Sequence, residues 1–63
     1  MTAYREIIKK HRLQKKMSQA ALAKAVGITQ PFMNEIESGR KSPSVEVLFQ
    51  ICEILEIQLF PEE

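Results

Sequence analysis

The chain has 63 residues, 44% of them apolar and 27% charged, with two glycines and three prolines. This is the make-up of one small globular domain over residues 1–63; it excludes a catalytic barrel, a doubly wound sheet and a disordered or collagen-like chain. The formal net charge is only +1, but all nine Lys and Arg lie at or before Lys41, so residues 1–41 carry a net +6 and residues 42–63 hold five Glu and no base. One end of the chain is suited to a polyanion and the other is not.

Four helical segments are expected in chain order. The first runs from about Thr2, a candidate N-cap, to Lys15, with Tyr4, Ile8, His11 or Arg12, and Lys15 on one face. Lys9, Lys10, Lys15 and Lys16 decorate its C-terminal half, where cations suit the helix dipole. The second starts at Ser18 and runs from Gln19 to Ala25 or Val26, with Gly27 as a left-handed stop. The third starts at Thr29, holds Pro31 in its first turn, and ends at Gly39. A polar loop, Arg40-Lys41-Ser42-Pro43, leads to Ser44, which caps a fourth segment reaching about Leu55. Ile57, Leu59 and Phe60 then form an apolar tail closed by Pro61. No segment alternates with period two for long enough to make a strand. The fold class is all-α, a compact bundle.

Gln19 to Ser38 is the informative unit: a short helix, a tight turn at Gly27 and a second helix, which is a helix-turn-helix. Leu22, Val26, Ile28, Met33 and Ile36 stand where two steeply crossing helices face each other and the core. Ala23 stands where the second helix passes closest, and Gly27 where a side chain would be strained.

The same residues resemble the lambda-repressor-like, or Xre-type, helix-turn-helix family. The resemblance rests on Arg12, Met17-Ser18-Gln19, Leu22-Ala23, Val26-Gly27-Ile28, Ile36-Glu37-Ser38-Gly39-Arg40, Pro43-Ser44, Val45, Leu48 and Leu55, and covers about residues 4–60. It implies a bundle of about five helices, with residues 57–61 as the stub of the fifth, and a DNA-binding regulator of the kind found in bacteria, phages and mobile elements. It also implies roles. Gln19, Thr29, Arg40, Lys41 and Ser42 become phosphate contacts. The recognition helix, about 29–38, presents Gln30 to the bases in the major groove, with Pro31, Phe32, Asn34 and Glu35 as further candidates. Gln30 can offer a bidentate amide to adenine, Phe32 can meet a thymine methyl, and Glu35 can accept from cytosine N4. Pro31, Phe32 and Glu35 depart from the family's pattern, the first two because small or polar residues are usual there, and Glu35 would repel phosphate. Arg12 and Glu37 match a pair that joins the first helix to the end of the recognition helix.

The fourth helix suggests a dimer. Val45, Leu48, Cys52 and Leu55 form one apolar stripe, and Val47, Ile51 and Ile54 a second. A chain this short has too little structure to cover both. A homodimer contact through Val47, Ile51 and Ile54, with Ile57 and Phe60, is therefore expected. Two-fold symmetry would set two recognition helices about 34 Å apart, matching successive major grooves.

No enzymatic constellation is present: no nucleophile–base pair, no phosphate loop, and a lone His11. Cys52 reads as a buried, reduced thiol in a cytoplasmic protein, and one Cys with one His predicts no metal and no cofactor. There is no signal-peptide pattern, and no apolar run approaches the roughly 20 residues that span a bilayer. The reading is a small homodimeric regulator of duplex DNA, controlled by concentration, dimerisation or a protein partner. A phage-type repressor, a restriction–modification controller and an antitoxin remain open. The rival reading is a protein-interaction module on the same scaffold.

Overall fold

Four helices make up residues 3–58, the part described by the computed structural model: α1 (Tyr4–Gln14), α2 (Gln19–Val26), α3 (Gln30–Ser38) and α4 (Val45–Leu55). The all-α expectation holds. Thr2, Leu59, Phe60, Pro61 and most of the expected fifth-helix stub lie outside the described residues.

Three of the helices start on a hydroxyl. Ser18 Oγ accepts from the Ala21 N–H at 3.0 Å, Thr29 Oγ1 from Phe32 N–H at 3.2 Å, and Ser44 Oγ from Val47 N–H at 3.1 Å. Each bond satisfies one of the N–H groups that a helix start leaves without a partner. Pro31 sits in the first turn of α3, where its missing N–H costs nothing. The first helix differs: its N-cap is Ala3, with no side-chain bond.

All four helices end the same way. The N–H of Met17, Ile28, Arg40 and Ile57 reaches back to the carbonyl of Arg12, Ala23, Glu35 and Cys52, respectively, at 2.8–3.1 Å. These are six-to-one closures that require a left-handed residue just before them. At Gly27 (φ 87°) and Gly39 (φ 82°) a glycine supplies it; at Lys16 (φ 58°) and Glu56 (φ 58°) a side chain bears the strain. Those two ends are tied together: Lys15 Nζ donates to the Glu56 carboxylate. That bond holds the Glu56 carboxyl below the usual carboxylate range. The support it gives is present at neutral pH and lost as pH falls through the lowered value.

The core joins all four helices: Ile8 from α1, Leu22, Ala23 and Val26 from α2, Met33 and Ile36 from α3, Ile51 and Leu55 from α4. Leu22, Met33, Ile36 and Ile51 have no exposed surface. Each such side chain stabilises the fold by about 1.5–3 kcal/mol. Both α1 and α2 pack against α3 and α4.

The apolar surface of α4 divides differently from the two expected stripes. Ile51, assigned to a dimer contact, is fully buried in the core beside Leu55, because it faces α1 and α2 rather than solvent. Val47, Ile54 and Ile57 are half-buried and pack against the same core. Val45, expected in the core stripe, is 65% exposed, and Phe49, one turn on, is 52% exposed. The inward face of α4 is thus centred on Ile51 and Leu55. The outward face carries Val45 and Phe49. Cys52 is buried, and desolvation pushes its thiol up, so it stays protonated at neutral pH.

Candidate nucleic-acid interface

The start of α3 faces outward because its apolar residues face in. Met33 and Ile36 are buried, so Gln30, Pro31 and Asn34, on the opposite side, are exposed. Gln30, Pro31, Asn34 and Glu35 line an open depression together with Gln19 of α2 and Arg40 of the following loop. Five of the expected contact residues and the phosphate candidate Arg40 are gathered on one surface in this way, with one exception among the base-contact candidates. Phe32 is half-buried and packs against the core, since it shares the side of α3 that carries Ile36, four residues on. Part of its surface is thereby committed to packing within the domain.

Beneath this surface lies a polar lattice. Arg12 Nε donates to Glu37 Oε2 at 2.8 Å and Nη2 donates to Oε1 at 3.1 Å, while Nη1 donates to the Met17 carbonyl at 2.8 Å. The two side chains are only 9% and 4% exposed. One guanidinium therefore joins α1, the α1–α2 turn and the end of α3. The bidentate fork fixes angle as well as distance. From Glu37 the chain of bonds runs outward. Gln19 Nε2 donates to Glu37 Oε1 at 3.3 Å, and Asn34 Nδ2 donates to Gln19 Oε1 at 3.4 Å. Arg40 Nη2 donates to Asn34 Oδ1 at 2.9 Å. Gln19, Asn34 and Arg40 are thus held in register by a buried anchor. No buried side-chain N or O among the described residues is without a partner.

The loop after α3 is organised around the Glu35 carbonyl, which accepts from Arg40 N–H at 2.9 Å, Lys41 N–H at 3.2 Å and the Ser38 hydroxyl at 3.2 Å. Lys41 Nζ lies 3.5 Å from Glu35 Oε1. This proximity answers the objection that Glu35 would repel phosphate: its carboxylate has a cation beside it. Arg40, Lys41 and Ser42 are exposed. Thr29 is exposed too, and its hydroxyl, while accepting at the cap, keeps its proton to donate.

One residue escaped the sequence reading. The side chain of Arg5 lies against Gly39, so close that a Cβ there would stand 2.9 Å from Arg5 Nε. A signal for it existed. Arg5 and Arg12 are seven apart on one face of α1, and Arg12 was already matched to Glu37 near the end of α3. The four lysines expected to add to the field divide. Lys15 is engaged by Glu56, and Lys9 and Lys10 border the exposed Leu13 on the outer side of α1. His11 Nδ1–H donates to the Ile7 carbonyl at 2.9 Å, within its own helix. Among the described residues no cluster of His, Cys, Asp or Glu could hold a metal, and no helix is long and apolar enough to cross a membrane.

Residues 8–60 match the model of a family described as helix-turn-helix. Among curated proteins the chain is similar to the ImmF control region 10 kDa protein of Bacillus phage phi105, 34% identical over 53 residues, or 84% of this chain and 59% of that protein. It is also similar to YqaE of Bacillus subtilis (strain 168), an uncharacterised HTH-type transcriptional regulator, 38% identical over 56 residues, or 89% of this chain and 48% of that protein. The chain spans about half the length of these relatives. No solved structure gives a significant match.

Proposed function

The chain belongs to the lambda-repressor-like helix-turn-helix family, and from that premise we propose that it is a transcriptional regulator that binds duplex DNA as a homodimer, with α3 in the major groove. The observation that carries this reading is the outward surface of α3, where Gln30 and Pro31 stand open between Gln19 and Arg40. A helix of this width fits the major groove of duplex DNA.

The roles follow from chemistry. Gln30, the first residue of α3, projects its amide to read a base edge, and Pro31 and Glu35 border it. Gln19 opens α2, where free N–H groups and the positive helix end favour a phosphate. Thr29, Arg40, Lys41 and Ser42 take phosphates on the far side. Asn34 acts chiefly by holding Gln19 and Arg40. The dimer contact is assigned to the half-buried Val47, Ile54 and Ile57, with Phe60 of the tail. Ile51 has no part in it. A second reading, in which the scaffold docks a protein partner, is favoured by the exposed Val45 and Phe49 on α4.

Two substitutions separate base reading from phosphate grip. Gln30→Ala is expected to lose about 1–3 kcal/mol of discrimination at one base pair of the site and little elsewhere. Lys41→Gln is expected to weaken every duplex alike and to reduce the salt slope of binding by about 0.9. Fluorescence anisotropy over a set of single-base-pair variants, from about 50 to about 200 mM salt, distinguishes them. A uniform loss with Gln30→Ala would remove that residue from base reading.

A further inference from the structure

We propose that Arg5, on a helix outside the helix-turn-helix unit, is a phosphate-binding residue that completes a cationic cluster around the Gly39 turn. The inference rests on the DNA reading above and adds a contact from α1 to it.

Three observations converge on Arg5. The first is its position. Arg12 anchors α1 at Glu37, and Arg5 lies two turns earlier on the same face, about 10.5 Å along the axis. That rise carries it to the end of α3, where its Nε and Cδ would stand 2.9 and 3.0 Å from a Cβ on residue 39. The approach is open because position 39 is glycine, which the left-handed turn also requires. The second is its chemistry. Gly39 begins the turn that carries Arg40 and Lys41, so Arg5 lies beside a turn that brings two further cations. The third is its freedom. Arg40 donates to Asn34, Lys41 lies beside Glu35, Arg12 is spent on Glu37 and Lys15 on Glu56. Arg5 is exposed, and among the described residues it has no hydrogen-bond or ion-pair partner.

An exposed guanidinium held beside a basic turn with its donors unused matches a phosphate oxygen, which it can grip through two parallel N–H bonds. The ligand is the backbone of the duplex rather than a free anion, because the turn continues directly into the surface that carries Gln30 and Arg40. With α3 lying in the groove, the strand passing the end of α3 meets Arg40 and Lys41 first and Arg5 beside them. A contact of this kind carries no base information.

The test is the salt dependence of binding to a duplex of about 25 base pairs of arbitrary sequence, where non-specific contacts dominate. The chain, Arg5→Gln and Arg5→Lys are compared by anisotropy, and each is melted to check its fold. The expected result has three parts: Arg5→Gln lowers the salt slope by roughly 0.9, Arg5→Lys keeps the slope, and all three melt alike. If the unsubstituted chain fails to bind duplex DNA, the DNA reading falls and this inference falls with it. If that chain binds and Arg5→Gln leaves the slope unchanged, the inference alone is overturned. An Arg5→Gln chain that is unfolded would also overturn it, making Arg5 a structural brace on α3.

Discussion

Glu37→Ala is expected to cost about 3–5 kcal/mol, the cost of leaving a buried charge without its partner. A domain of this size holds roughly 3–9 kcal/mol in total, so the variant should lose a third of its stability at the least. The reason is geometric. Arg12 keeps its bond to the Met17 carbonyl but loses both bonds to the carboxylate, in a site where its side chain is 9% exposed. Gln19 loses a partner as well. Glu35→Ala, two residues away, serves as the contrast. Its carboxylate is 31% exposed and lies 3.5 Å from a lysine that is 60% exposed, so its loss should cost at most about 1 kcal/mol. Urea unfolding of both variants checks the difference, and equal losses would contradict the anchoring role. A double replacement, Arg12→Met with Glu37→Leu, should recover much of the stability, because no charge is then left buried. What it should not recover is DNA binding, since Gln19 loses the Glu37 bond that positions it.

Ile51→Ala carries the second large effect, about 2–5 kcal/mol, from lost transfer energy and the cavity left behind. Ile51 has no exposed surface and lies in the cluster shared by all four helices. In a chain this small that is a fall of at least about 8 °C in melting temperature. Phe49→Ala, larger in volume but 52% exposed, should stay within about 0.5 kcal/mol of the parent. The two residues also differ in what dilution does. A core residue costs the same at every protein concentration. If the Ile51→Ala defect disappeared on dilution, the residue would belong to an interface between copies after all.

Much of the architecture was legible because local chemistry and tertiary need agree. Ser18, Thr29 and Ser44 each precede an apolar run, and each proves to be an N-cap. Gly27 and Gly39 mark the helix ends because only glycine adopts the left-handed turn without cost. The same closure at Lys16 and Glu56 was illegible, since nothing in a lysine or a glutamate announces a positive φ. Their strain is accepted where α1 and α4 end together, beside the Lys15–Glu56 bond. Helix four was the harder case. Apolar nearly all round, it offers no polar face to orient it, so periodicity found two stripes but not which one α1 and α2 would cover. The grouping of Gln19, Gln30 and Arg40 on one outward surface was legible, since their places follow from helix starts and the loop. Phe32 was not, because an aromatic near a helix start is equally at home on a base or on a core. Arg5 required knowing which way α1 lies across α3, and that follows only from the Arg12–Glu37 pair.

The proposed function requires two copies of α3 to read one two-fold site in duplex DNA. Its most direct test is to incubate the purified chain with a random-sequence duplex pool at near-physiological salt and sequence what is retained. Enrichment of a single inverted repeat with half-site centres about 10–10.5 base pairs apart is expected. Retention without sequence preference, or none at all, would contradict it.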